Sequence, residues 1–214
     1  MTSTNIDRPT AAMTELAELG VATVYEASGR QGLIDVPLIR LVPGARVAGP
    51  ARTAECGQDD NRAVHEAIAA VEPGDILVLT MPHPRPVALV GDLLATQAAG
   101  QGAAGILVDG AVRDREELVA MGLPVWSRHV RARGATKEHR GAVDVPVTVG
   151  GTAIHPGDVV VLDADGAVCV PRARIDQVLE ASRARLEREA ELRVRFEAGE
   201  LSYDIYGMRA ADRA

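Results

Sequence analysis

The stretch from Pro86 to Asp114 leaves this 214-residue chain few ways to fold. Pro86 to Val90 is a short apolar run suited to a strand. From Asp92 to about Gln101, the residues Leu94, Ala95, Ala98 and Ala99 recur at helical spacing. Gly102 to Gly105 breaks that helix, Ile106, Leu107 and Val108 read as a buried strand, and Asp114 opens another helix. The pattern is βαβα. If its two strands are parallel neighbours, roughly 4.8 Å apart, both strand ends and both helix starts fall on one edge of the sheet. Open α/β sheets bind their ligands at that edge. The reading brings Asp92, Asp109, Arg113 and Asp114 together, with the free backbone N–H groups of Leu93 and Leu94 placed to receive a carboxylate.

A plainer reading stands beside it. Asp92 and Asp114 are each suited to cap a helix, and Asp114 with Glu117 forms a capping-box-like pair. A cap needs no arginine beside it, however, and Arg113 with a glycine at each turn favours chemistry. Composition narrows the rest. Hydrophobic residues make up 47% of the chain and aromatics only 2%, so the core must be aliphatic. A net charge of −7 argues against a nucleic-acid surface, which needs a basic patch. Cys56 and Cys169 lack metal-ligand spacing and read as buried free thiols of a reducing compartment. No apolar run reaches the length of a membrane span, and the polar start is no signal peptide, so a soluble cytoplasmic protein is expected. The single lysine, Lys137, lies in a charged stretch with nothing apolar nearby to depress its pKa, which argues against imine chemistry.

Along the chain, residues 1–10 are expected to be disordered. Ala11 to Leu19 and Val21 to Ser28 read as two short helices divided by Gly20. Pro43-Gly44 and Gly49-Pro50 mark turns between short strands. Asp59-Asp60 caps a helix carrying Val64, Ala67, Ile68 and Val71, and a strand follows at Ile76 to Leu79. His83, in a proline-stiffened loop, is expected to be solvated. The second half is mostly β: Leu123 to Trp126, Val145 to Val149, Val159 to Asp163 and Ala167 to Val170. A long charged helix then runs from Arg172 to Phe196 with a thin apolar stripe, suiting a surface or a subunit contact. The tail from Gly199 to Arg209 holds two of three tyrosines and reads as a docked segment. One catalytic α/β domain is expected over residues 1–171, with residues 172–214 a helix and tail at a subunit interface.

The Gly91-Asp92-Leu93-Leu94 to Arg113-Asp114 pattern, with twenty residues between Asp92 and Arg113, resembles that of the class II pyruvate aldolases. These act on 4-hydroxy-4-methyl-2-oxoglutarate and 4-carboxy-4-hydroxy-2-oxoadipate and share a fold with the regulator of ribonuclease activity A. The likeness extends from Leu19 to Ala27, through Asp60-Asn61 with His65, Pro124 to Arg128 and Pro156 to Val159, to Asp204-Ile205-Tyr206. It implies an α/β fold: an α-β-β-α sandwich of the phosphohistidine-domain-like, swivelling β/β/α type, with a long C-terminal helix. It implies a homotrimer or hexamer with active sites between subunits, and a divalent metal, magnesium or its substitute manganese. On this resemblance Asp114 is the direct metal ligand, and Arg113 contacts the pyruvyl oxygens. Asp92 orients a water on the metal, while Gly91, Leu93 and Leu94 cradle the substrate. A glutamate from a neighbour's C-terminal helix matches Glu189, with Glu187 and Glu191 as alternatives. The implied activity is cleavage to pyruvate and a 2-oxo acid, with oxaloacetate decarboxylation alongside. The rival is a non-catalytic, ribonuclease-regulator-like binding protein. A methyltransferase is disfavoured, since no glycine-rich loop after a first strand offers a nucleoside site.

Overall fold

Apolar runs too short for helices alternate with amphipathic stretches, and they assemble into one mixed α/β architecture. A computed structural model describes residues 11–213, so the expectation for the first ten residues lies outside it. The chain runs α1 (Ala11–Ala27), β1 (Ile39–Arg40), β2 (Val47–Glu55), α2 (Arg62–Ala69), β3 (Ile76–Thr80) and β4 (Ala88–Val90). It continues α3 (Asp92–Gly100), β5 (Gly105–Val112), α4 (Arg115–Met121), β6 (Val125–Val130), β7 (Ala142–Val143), β8 (Val147–Val149) and β9 (Thr152–Ile154). The last elements are β10 (Val159–Asp163), β11 (Gly166–Val170), α5 (Ile175–Glu197), α6 (Ser202–Ile205) and α7 (Met208–Ala211).

The main sheet has the order β1-β6-β5-β3-β2-β10-β11, with β4 beside β5 and β7 beside β2. The β2-β3, β3-β5, β4-β5 and β5-β6 pairs are parallel; β10 and β11 join antiparallel. The two edges are bridged by one segment. Its start pairs with β11, through Cys169 N–H to Gly32 O at 2.8 Å and Ile34 N–H to Ala167 O at 3.0 Å, and a few residues later β1 pairs with β6. The sheet is therefore nearly closed, like a barrel. The approach at Gly32 is too tight for a side chain: a Cβ would collide with the Cys169 carbonyl, and φ is +81°.

Three apolar clusters follow from this curl. Ile76, Val78, Leu107 and Trp126 face Val160, Leu162 and Ala167 across the inside of the sheet. Outside, α2 and α3 pack on one flank through Val64, Ile68, Leu94 and Ala98 against Leu77, Leu79 and Ile106. On the other flank, α1 and α5 cover Val159, Val161, Val168 and Val170 with Leu16, Val24, Val178 and Leu179. Trp126 is fully buried, and its Nε1–H satisfies itself on Asp163 O at 2.9 Å. Cys56 and Cys169 are buried free thiols, as expected, each pushed up to about 12 by burial.

The break expected at Gly20 is present: its φ of 81° and ψ of 164° interrupt α1, and Val21 N–H donates to Asp163 Oδ2 at 2.9 Å. The turn expected at Gly49-Pro50 is not. Both residues lie inside β2, where the strand changes partner from β10 over Val47–Pro50 to β3 over Ala51–Glu55. Gly49 is needed there for closeness, since a Cβ would collide with the Gly74 carbonyl.

Candidate active site

Strands β4 and β5 are parallel neighbours with Val90 opposite Val112, so the next residues, Gly91 and Arg113, emerge side by side. Arg113 N–H bonds Val90 O at 3.0 Å and holds the two turns together. Gly91, not Asp92, occupies the N-cap of α3, and Asp92 is the first helical residue. Asp114 does sit at the N-cap of α4, yet its side chain makes no capping bond. Its backbone is left-handed, φ 56° and ψ 47°, a conformation that costs a non-glycine residue roughly 1–3 kcal/mol. In that pose Oδ2 accepts from Asp92 N–H at 3.2 Å and Arg113 Nε–H at 3.3 Å. The capping-box expectation is thus replaced by a bridge between the two turns. Burial works against ionisation of Asp114, but the Asp92 amide and Arg113 guanidinium outweigh it and hold its pKa below the usual carboxylate value. Gly91 makes room: a Cβ there would collide with Asp114 Oδ2 and stand 3.0 Å from Arg113 Nε.

Beside this bridge lies a cleft of about 230 Å³. Gly91, Asp92, Leu93, Leu94 and Arg113 form one wall; Asn61, His65 and Lys137 are also among its lining residues. The cleft takes in the first turn of α3, where amides carry the helix's positive end. Arg113 also borders an open depression of about 460 Å³ with Asp114 and Arg131. Among the described residues, no three His, Cys, Asp or Glu side chains come together as a metal cage. A single anionic carboxylate facing open space fits a hard cation such as magnesium, which keeps most of its waters, and does not fit a closed zinc site.

Two expectations need correction. Asp109 does not join the cleft: its carboxylate is buried, ion-paired with Arg128, and 3.4 Å from Thr80 Oγ1. Lys137 was expected in purely charged surroundings, yet it lines the cleft with Leu89, Leu93 and Leu94. The cause is Asp60, whose fully buried side chain accepts from Thr136 Oγ1 at 2.6 Å, Glu138 N–H at 2.6 Å and His139 N–H at 3.1 Å. The N-cap of α2 is Asn61, not Asp59 or Asp60 as expected, although Asp60, just before it, does accept from Arg62 N–H at 2.8 Å. Burial opposes its charge, but these donors hold its pKa well below the usual range. Asn61, beside it, gives Nδ2–H to Leu89 O at 3.0 Å, and its buried Oδ1 has no hydrogen-bond partner among the described residues. His83 is exposed, as expected. Glu189 is not a lining residue of this chain's cleft; it pairs with Arg185 at 2.8 Å on its own helix.

A curled α/β sheet with this Gly-Asp and Arg-Asp juncture belongs to a defined class. Residues 21–169 match the RraA-like family, Aldolase/RraA, and the chain is a member of it. A relative from Halalkalibacterium halodurans, provisionally named a 4-hydroxy-4-methyl-2-oxoglutarate aldolase, is 35% identical over 65% of this chain and 67% of its own. The structure of Streptomyces coelicolor RraAS2, described as an unusual member of the RNase ES inhibitor RraA family, aligns with a TM-score of 0.75 at 29% identity. That alignment covers 88% of this chain and 99% of the other. A Geobacillus kaustophilus protein titled S-adenosylmethionine: 2-dimethylmenaquinone methyltransferase aligns with a TM-score of 0.65 at 33% identity, over 71% and 94%.

Proposed function

We propose that this chain is a divalent-metal-dependent carbon–carbon lyase. Its substrate would be 4-hydroxy-4-methyl-2-oxoglutarate or 4-carboxy-4-hydroxy-2-oxoadipate, cleaved to pyruvate and a second 2-oxo acid. The observation that carries the reading is Asp114, held left-handed with no capping bond so that it bridges Asp92 and Arg113, two lining residues of the cleft, from the adjoining depression. Family membership and the name of the H. halodurans relative support an aldolase. Asp114 would hold the metal, magnesium before manganese, which when bound would supply Lewis-acid stabilisation of negative charge.

The chain's own groups do the rest. The Leu93 and Leu94 amides receive the substrate carboxylate at the start of α3. Asp92 orients the water that takes the proton from the C4 hydroxyl. The C4 oxygen then forms a carbonyl, the C3–C4 bond breaks, and its electron pair passes into the enolate of pyruvate. Arg113 stabilises that enolate's oxygen as a fixed cation. A proton from water returns to C3. Oxaloacetate gives the same enolate on losing CO₂, so decarboxylation should accompany the lyase activity. Glu189 of a neighbouring copy, in a homotrimer or hexamer, would complete the site. The fold type that the resemblance implies, an α-β-β-α sandwich of the swivelling β/β/α class, is part of this proposal.

Pyruvate release from both 4-hydroxy-2-oxo acids and from oxaloacetate tests the reading. EDTA should abolish it and Mg²⁺ or Mn²⁺ restore it. Because Lys137 lines the cleft, borohydride is the discriminating reagent: a trapped pyruvyl adduct on Lys137 would replace metal catalysis with an imine. The likeness to RraAS2 favours one second reading, a non-catalytic ribonuclease-regulator-like binding protein. Absence of pyruvate from all three acids with Mg²⁺ present would select it.

A further inference from the structure

A second cavity, of about 280 Å³, lies where the end of α1, the end of β11 and the start of α5 meet, and it shares no lining residue with the cleft. Pockets for drug-sized molecules begin at roughly 300 Å³, so an occupant here is small. Ala153, Val170, Pro171 and Val178 give the cavity apolar lining, and Ser28, Gln31 and Arg174 give it polar lining. Arg174 is held but not neutralised. Its Nε–H donates to Gln177 Oε1 at 3.3 Å, Nη1 to Gln31 Oε1 at 2.6 Å and Nη2 to Ser28 O at 3.1 Å. All three acceptors are uncharged, and Arg174 forms no ion pair among the described residues. Three of the five N–H donors of the guanidinium are therefore used, which leaves one on each terminal nitrogen.

The frame around this cation is fixed and offers it no counter-charge. Ser28 is buried, and its Oγ accepts from Gln31 N–H at 3.0 Å, which ties down the turn after α1. Thr152, also a lining residue, spends its hydroxyl on Leu33 O. The Cys169 thiol is kept neutral by burial. Asp158, whose charge is felt at Cys169, already accepts from Arg172 N–H at 3.0 Å and His155 N–H at 2.9 Å. An unmatched positive charge thus stands beside apolar surface. A guanidinium oriented in advance loses little freedom on taking an oxyanion, and charge pairing in a partly desolvated cavity is stronger than in water.

We propose that this cavity binds a small carboxylate with a short apolar body, its oxygens on the Arg174 guanidinium and its carbon skeleton against Val170 and Val178. A neutral ligand would leave the charge unmatched, and a bare inorganic anion would leave the apolar lining unused. Ser28 follows α1 and Arg174 precedes α5, so the occupant braces the two helices against each other. Nothing in this site depends on the lyase chemistry.

Amide NMR of the labelled protein during titration with isobutyrate locates the binding. Saturable shifts should appear at Gly32, Ala153 and Val170, which line the cavity. Isobutyramide has the same shape without the charge, and inorganic phosphate has charge without an apolar body; each should bind about tenfold or more weakly. Arg174→Met should weaken isobutyrate by a similar factor. Ala153→Leu fills the cavity, leaves the three Arg174 hydrogen bonds in place and should do the same, so it decides the matter if Arg174→Met does not fold. Shifts confined to Leu93 and Leu94 would put the carboxylate in the cleft alone and overturn the assignment, as would the absence of any shift. Isobutyramide or phosphate binding as tightly as isobutyrate overturns the ligand class. Undiminished affinity in either folded variant overturns the site.

Discussion

Asp114 holds a conformation that its own helix does not need. Strained backbone persists only where surrounding contacts over-determine it, and here those contacts are Asp92 N–H and Arg113 Nε. The Arg113–Asp114 pair is half exposed and adds little to stability, so its value lies in placing the guanidinium. Arg113→Lys removes the planar fork and leaves a point charge. We expect kcat to fall by the equivalent of roughly 2.7–4 kcal/mol, as for loss of a fixed donor to an oxyanion. Steady-state kinetics decide: an unchanged kcat with raised KM would restrict Arg113 to binding. Gly91→Ala tests the same placement from the opposite turn. Its φ of −133° suits any residue, so the backbone is unstrained, but the methyl group displaces Asp114 Oδ2. Misplacement of about 1 Å costs on the order of 100-fold in rate. Activity should fall by that order while the thermal midpoint shifts by no more than about 4 °C, the effect of about 1 kcal/mol in a chain this size. A wild-type rate would show that the two turns need no such close approach.

The loop over the cleft is tied to α2 by Asp60, and that tie has a pH signature. The folded pKa of Asp60 lies below the ordinary carboxylate value, with burial opposing and four hydrogen bonds outweighing it. Its stabilisation is therefore complete above about 3.9 and is lost as pH falls toward the folded pKa. Denaturant titrations from neutral pH down to about 2 should show a steeper loss of unfolding free energy for the wild type than for Asp60→Asn. At neutral pH the variant should be less stable by roughly 1.5–3 kcal/mol, the worth of hydrogen bonds to a charged group. Parallel curves would mean that Asp60 does not clamp the loop. This clamp also marks where the sequence stops being readable. The βαβα unit, the Gly20 break and the β3 strand are written in local periodicity and glycine placement, so they could be read directly. Gly49-Pro50 could not, because whether a glycine-proline pair turns a chain or lets a strand change partners depends on what approaches it, here the Gly74 carbonyl. Lys137 was misplaced for the same reason. Its neighbours in sequence are polar, but its loop is drawn in by a carboxylate 76 residues away. Asp109 lies on β5, four residues before Arg113, yet reaches Arg128, a partner that spacing from Asp92 alone does not reveal.

The C-terminal segment is the part of the molecule that its own fold does not account for. α5 buries Val178 and Leu179 against α1, but beyond Ser182 it leaves Leu186, Val194 and Phe196 exposed. Leu201, Tyr203, Tyr206 and Met208 follow, also exposed, in a chain with only 2% aromatic residues. Large exposed apolar patches are characteristic of interaction sites, and in the proposed homo-oligomer a second copy of the chain would cover this one. Glu189 lies on this stretch, bonded to Arg185 one turn earlier. An exposed i,i+4 pair is worth about 0.3–0.5 kcal/mol, so little energy holds Glu189 there if a neighbouring cleft offers it a better position. The prediction is complementation. Glu189→Gln and Asp114→Asn proteins should each be nearly inactive alone. Unfolded together and reassembled, they should form mixed oligomers in which some clefts carry both lesions and others carry neither. Pyruvate release should then return in part, to a fraction that follows the mixing ratio. Full activity in Glu189→Gln alone would make the Arg185 pair the whole role of that carboxylate. Two inactive proteins whose mixture stays inactive, despite confirmed mixed assembly, would place Glu189 and Asp114 in the same cleft of the same chain or remove the shared site.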